Sequence, residues 1–168
     1  MHTKETSLTF TGHRNEKLPQ TLEGMEKLKN KLWNEVDKAI ADGIDTFYFG
    51  GCRGFDLICA DIVEKRKRII KQADPKSIKL ICIVPYENQA QGWRESDREL
   101  YYNILPLCDE VITLTTHYHK GCYHQRNRYM VDRSCRVICY YDGTLGGTAY
   151  TVNYATKHNL QITNLYEE

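Results

Sequence analysis

Apolar residues along this chain follow two alternating rhythms. Short runs rich in β-branched residues have the length and composition of strands: Leu8 to Thr11, Thr46 to Phe49, Ile78 to Val84, Val111 to Leu114, Val137 to Tyr141 and Gln161 to Leu165. Between them, apolar positions recur every three or four residues. Leu22, Met25, Leu28, Leu32, Val36, Ala39 and Ile40 share one face of a helix that Gly43 would stop. Cys59, Ile62, Val63, Ile70 and Ala73 form a second such face from Phe55 to Ala73, before Asp74-Pro75 ends the pattern. Shorter helices are predicted over Glu95 to Leu105, Tyr123 to Arg133 and Gly147 to His158. The third and fifth strands are almost continuously apolar, as expected when both faces of a parallel sheet are covered, so they are predicted to be central.

Strand and helix alternate throughout, which predicts a doubly wound α/β fold: a parallel-dominated sheet of about six strands in the middle of three layers, with right-handed crossovers. No repeat, low-complexity tract or Pro/Gly-rich linker divides the 168 residues, so residues 1 to 168 read as a single domain.

Charge then narrows the function. With 23 basic and 22 acidic residues and a net charge of +1, the chain lacks the broad positive field of non-specific nucleic-acid binding. A nucleic-acid partner is disfavoured, and any anion site must be local. The longest apolar stretch, Ile78 to Pro85, is far shorter than the roughly 20 residues that span a bilayer. Residues 1 to 7 lack the apolar core of a secretion signal, so a cytoplasmic protein without membrane contact is expected. Seven cysteines with no CxxC pair do not form a disulfide framework, and Cys82 and Cys139, inside apolar runs, read as small hydrophobes.

In sheets of this kind, ligands bind beyond the carboxyl ends of the strands. The predicted loops there carry Thr11-Gly12-His13-Arg14, Gly50-Gly51-Cys52-Arg53-Gly54-Phe55-Asp56, Pro85-Tyr86-Glu87-Asn88-Gln89 and Asp142-Gly143-Thr144-Leu145-Gly146-Gly147-Thr148. Gly50 to Gly54 leads from a strand into a helix, where backbone amides can approach an anion and the helix dipole favours it. The same glycines equally suit a tight turn. Gly146-Gly147-Thr148 also opens a helix, which Thr148 could cap. Guanidinium forks suit phosphate oxygens, and Arg14, Arg53 and Arg126 stand at loops or helix starts, whereas Arg128 and Arg133 fit an exposed helix surface. Of Tyr86, Trp93, Tyr118, Tyr123 and Tyr129, Tyr86 is the one expected to stack on a base. His117, His119, Cys122 and His124 are zinc-type ligands, but their spacing matches no closed zinc site, so no metal is expected.

Taken in order, these segments, with Gly121-Cys122-Tyr123, Arg126 to Asp132 and Tyr141-Asp142-Gly143, resemble the YpsA-like branch of the SLOG superfamily. That superfamily includes DprA-like DNA-processing proteins, the LOG phosphoribohydrolases and molybdenum-cofactor carriers. The resemblance implies a Rossmann-like sheet and a pocket for a nucleotide-derived ligand. The expected ligand-binding residues are Thr11, Gly12, His13, Arg14, Gly50, Gly51, Arg53, Gly54, Asp56, Pro85, Tyr86, Gln89, Arg126, Asp142, Gly146, Gly147 and Thr148.

LOG enzymes carry MHxRK and PGGxGTxxE segments, whose Arg and Glu serve cleavage of an N-glycosidic bond. Tyr123 to Asn127 resembles the first and keeps Arg126. The second survives only as Gly146-Gly147-Thr148, with Thr151 where those enzymes have glutamate. Threonine cannot stabilise a developing oxocarbenium charge as a carboxylate can. The expectation is therefore a non-catalytic binder of a nucleotide derivative, such as an ADP-ribose-like signal. The alternative is an N-glycosidic hydrolase using Arg126 with Asp56, Asp132 or Asp142. No cofactor is required, magnesium bridging ligand phosphates stays open, and relatives' habits suggest a homo-oligomer.

Overall fold

The structure is a computed structural model that describes residues 3 to 73 and 78 to 167, so the Asp74-Pro75 stop lies outside the described residues. Among the described residues, six strands and five α-helices alternate: β1 (Ser7–Gly12), α1 (Leu22–Ala41), β2 (Thr46–Phe49), α2 (Phe55–Ala73), β3 (Lys79–Val84), α3 (Glu95–Ile104), β4 (Glu110–Thr113), α4 (Cys122–Asp132), β5 (Arg136–Tyr140), α5 (Gly147–Lys157) and β6 (Gln161–Asn164). Local chemistry sets several ends. The Thr21 side chain caps α1 by accepting from the Gly24 amide, and Gly43 turns the chain away at φ 103°. The helix predicted through Leu105 stops at Ile104 and tightens into a 3-10 turn, Leu105–Leu107, because Pro106 has no amide to continue the ladder.

All five strand pairs are parallel, in the order β4-β3-β2-β1-β5-β6. The chain adds strands outward from β1 to β4, returns across the sheet, and then adds β5 and β6 beyond the other side of β1. A constant crossover hand requires the helices to change faces at that reversal. Accordingly α1, α2 and α3 pack together on one face, and α4 and α5 on the other. This is a Rossmann-like α/β arrangement. The prediction that β3 and β5 are central needs a correction: both are interior, but the two middle strands are β1 and β2. The Thr46–Phe49 strand is wholly buried too, but too short for its apolar run to stand out.

The larger core lies beneath α1 to α3. Leu8 and Phe10 of β1, Phe47 and Phe49 of β2, and Leu80 and Cys82 of β3 point to it, and meet Leu28, Leu32 and Val36 of α1 and Val63 of α2. On the opposite face β1 presents Ser7, Thr9 and Thr11, all buried and polar. This polar stripe leads up to the place where strand order reverses, between β1 and β5.

Candidate functional site

Ligand sites in open α/β sheets form where adjacent strands send their chains in opposite directions. Here a cleft of about 440 Å³ opens at that point, within the size range of small-molecule sites. Its walls come from the loops after β1 and β5 and from the starts of α2, α4 and α5.

The β1 loop is pressed against α2. A Cβ on Gly12 would sit 2.4 Å from the Phe55 ring, and the Phe55 amide donates to the His13 carbonyl. His13 is buried, with Nε2 2.8 Å from Asp142 Oδ1, to which the ring donates when Nε2 carries the proton, and 3.0 Å from the Asp142 backbone nitrogen. Asp142 Oδ1 also accepts from the Thr144 hydroxyl at 2.6 Å and the Thr144 amide at 3.0 Å. These bonds, with the His13 ring beside them, hold the Asp142 carboxyl far below the usual carboxylate range. Asp142 therefore organises the β5 loop and is not itself among the residues lining the cleft.

The amino end of α5 borders the cleft through Gly146, Gly147 and Thr148. Among the described residues no side chain caps it, and a Cβ on Gly146 or Gly147 would meet nothing within 4 Å. Its first amides thus leave donor capacity and the positive end of the helix dipole at an open surface. Lys17, from the 3-10 turn Asn15–Lys17, joins them and reaches the Thr144 hydroxyl.

From the same face of the sheet as α5, α4 supplies Arg126, only 4% exposed. Its guanidinium donates to the Gly50 carbonyl, to Asn127 Oδ1 at 2.7 Å and to Cys52 Sγ at 3.2 Å. Nearby Asp56, 6% exposed at the start of α2, accepts from the Cys52 amide through Oδ2. Its Oδ1 has no hydrogen-bond partner among the described residues. Burial pushes the Asp56 carboxyl up to about 6, against the pull of Arg126.

The glycine loop after β2 supports this floor from below. A Cβ on Gly50 would lie 2.3 Å from Arg126 Nη1. Gly54, at φ 104°, allows backbone contact with Arg14, since a Cβ there would come within 2.7 Å of the Arg14 Cα. Gly51, at φ 72°, is hemmed in by Tyr101 and Gln89. Arg53 pairs with Glu16 at 2.6 Å, and that hydrogen bond holds the Glu16 carboxyl below its usual value. Gly50, Gly51, Arg53 and Gly54 thus do not line the cleft. Nor do Pro85, whose carbonyl accepts from Thr115, Gln89, whose amide points to the Gly50 carbonyl, or Tyr86, which lies edge-on against Tyr123.

Of the expected residues, the fold brings together Thr11, Gly12, His13, Arg14, Asp56, Arg126, Gly146, Gly147 and Thr148 around one cleft. It adds Glu16, Lys17, Cys52, Asn127 and Leu145, which carried no sequence signal beyond adjacency to the glycine and arginine motifs. Asp132 is engaged elsewhere, by the Tyr154 hydroxyl at 2.7 Å. Thr151 is fully buried and donates to the Gly147 carbonyl, so its side chain closes the first turn of α5. The His117, His119, Cys122 and His124 segment is dispersed: Cys122 is buried at the start of α4, and the His124 ring packs on Tyr150. Among the described residues, no three His, Cys, Asp or Glu side chains converge as metal ligands, and no helix is long and apolar enough to cross a membrane.

The model of the YspA SLOG family matches residues 8–166. Among curated relatives, a UPF0398 protein of Halalkalibacterium halodurans is 28% identical over 160 residues, covering 92% of this chain and 82% of its own length. A UPF0398 protein of Bacillus thuringiensis is 25% identical over 145 residues, covering 85% of this chain and 76% of its own. Among solved structures, the single-stranded-DNA-binding DNA processing protein A of Helicobacter pylori is similar, with a TM-score of 0.63 and 17% identity over 99% of this chain and 67% of that one. DNA processing protein A of Streptococcus pneumoniae follows at 0.61 and 13%, over 96% of this chain and 50% of that one. At these identities the structures share the fold.

Proposed function

We propose that this chain, which belongs to the YspA SLOG family, binds a small phosphorylated ligand of nucleotide type, such as an ADP-ribose-like signal, and leaves it uncleaved. The observation that carries this reading is the uncapped amino end of α5, which shares one cleft with the Lys17 ammonium. Oriented amides, the dipole and a cation favour a phosphate, and glycine at 146 and 147 lets its oxygens reach the backbone. This set supplies positive charge without a metal, so magnesium would accompany the ligand's phosphates and is not a requirement of the site. The balanced charge and the cleft's modest volume favour a small molecule over a polynucleotide.

The case against cleavage is the state of Thr151 and of the carboxylates around the cleft. Thr151 turns back into its helix, Asp132 is bonded to Tyr154, Asp142 is locked by Thr144 and His13, and Glu16 is paired with Arg53. One observation favours the hydrolase alternative: Asp56 borders the cleft with a carboxyl near 6, a value suited to a general acid.

Titration calorimetry with ribose 5-phosphate, AMP and ADP-ribose, followed by chromatography of the mixtures after several hours, separates the readings. Saturable binding with intact ligand is expected. Release of free adenine from AMP or ADP-ribose, abolished by Asp56→Asn, would install the hydrolase. Absence of binding by all three ligands would remove the phosphate site itself.

A further inference from the structure

The cleft has an aromatic wall as well as a cationic one. Tyr86, Tyr118 and Tyr123 form a cluster with ring centroids 5.6, 6.1 and 6.4 Å apart, and of the three only Tyr123 lines the cleft. Its position is well fixed. The Tyr86 and Tyr118 rings brace it, the hydroxyls of Tyr86 and Tyr123 are within hydrogen-bond distance, and the Arg126 guanidinium carbon lies 5.7 Å from its centroid. Arg126 is itself anchored by Gly50, Cys52 and Asn127.

Arg14 stands on the same ring under different conditions. Its guanidinium carbon is 5.9 Å from the Tyr123 centroid, yet its side chain is exposed and, among the described residues, makes no hydrogen bond or ion pair. A planar base held between two flat groups needs them about 7 Å apart, two van der Waals spacings. The two groups stand closer than that, so a base enters as the exposed Arg14 side chain, unpartnered among the described residues, swings outward from the fixed ring.

We infer that Arg14 and Tyr123 form a clamp for the planar base of the ligand, so that the cleft takes a base-bearing nucleotide by both ends: the base between Arg14 and Tyr123, the phosphate at the amino end of α5. This rests on the proposed phosphate site and adds the ligand's other half. It assigns the stacking role to Tyr123, where sequence alone pointed to Tyr86, whose ring serves as a brace outside the cleft. Stacking discriminates weakly among bases, so the clamp selects for the presence of a base more than for its identity.

Calorimetry with AMP against ribose 5-phosphate tests the clamp, because the two share the sugar phosphate and differ by the base. The wild-type protein is expected to bind AMP at least about tenfold tighter than ribose 5-phosphate, the scale of one base stacked on an aromatic ring. Tyr123→Ala should erase that preference while leaving ribose 5-phosphate affinity within about twofold, and Tyr123→Phe and Tyr123→Trp should retain it, since stacking needs the ring and not the hydroxyl. Equal affinity of the wild-type protein for AMP and ribose 5-phosphate would overturn the clamp and leave the phosphate reading standing, even if Tyr123→Ala failed to fold. Binding of neither ligand nor of ADP-ribose would end both. A single-stranded oligonucleotide bound more tightly than AMP, with the gain lost in Tyr123→Ala, would replace the mononucleotide clamp by a polynucleotide surface.

Discussion

His13 and Asp142 are 129 residues apart in sequence, yet His13 Nε2 lies 2.8 Å from Asp142 Oδ1 and ties the loop after β1 to the loop after β5 across the reversal of strand order. The contact fixes the distance between the two walls of the cleft. His13→Ala should fold, melt at a lower temperature than the wild type, and bind ribose 5-phosphate about three to ten times more weakly, the worth of one hydrogen bond. Unchanged affinity by calorimetry would mean that the β5 loop is positioned without His13. Because the Asp142 carboxyl is held below its ordinary value, its share in this lock is complete at neutral pH and is lost only as pH falls through the acid range.

Two glycines that look alike in the sequence should respond oppositely to alanine. A Cβ at Gly147 meets no atom within 4 Å, and the residue opens α5. Gly147→Ala should leave folding stability unchanged or raise it by up to about 1 kcal/mol, while weakening phosphate-ligand binding by about tenfold because the methyl group occupies the approach to the amides. A Cβ at Gly50 would instead lie 2.3 Å from the Arg126 guanidinium. Gly50→Ala should cost about 1 to 3 kcal/mol in urea unfolding, as overpacking does. Equal losses of stability in the two variants would refute the distinction.

Replacing Thr151 by glutamate should not create a hydrolase. The side chain is fully buried and bonds back to the Gly147 carbonyl, so a carboxylate there would be desolvated without a partner. Thr151→Glu should lose several kcal/mol of stability, on the order of 3 to 5 for an uncompensated buried charge. Chromatography should detect no base release from AMP. A stable, hydrolytically active variant would show that α5 can rotate this position into the cleft.

Asp56 carries a pH signature. Its folded-state carboxyl is raised by burial from 3.8 to about 6, so the folded protein holds this proton more tightly than the unfolded chain does. The contribution to stability is complete below the unfolded value and is lost as pH rises through the folded one. Between about pH 4.5 and about pH 7.5 the loss is on the order of 2 kcal/mol. Urea unfolding of wild type and Asp56→Asn at those two values should show this decline in the wild type alone, on top of the trend both share. Parallel pH dependence in the two proteins would mean that Asp56 ionises normally.

Much of the architecture was legible in the chain itself. Three- and four-residue spacing of Leu28, Leu32, Val36 and Ala39, and apolar runs such as Ile78 to Val84, report burial of neighbouring residues on one element, and that periodicity is local; Leu22, which extends the same spacing, is 86% exposed at the start of α1. Alternation of such elements, with the connection rules of parallel sheets, led to the six-stranded fold and to one edge where Gly12, Arg14, Asp56, Arg126 and Gly146 gather. The partners of those residues were not legible. Gly50 looked like an anion-binding glycine and proved to be space for Arg126, a side chain 76 positions away. Arg53 is as good a phosphate ligand as Arg14 on paper, yet one is paired with Glu16 and the other is left facing Tyr123. A side chain's chemistry is written in its own residue, but whether it lines a cleft or is consumed in building one depends on contacts between loops remote in sequence, and only their packing in three dimensions decides that.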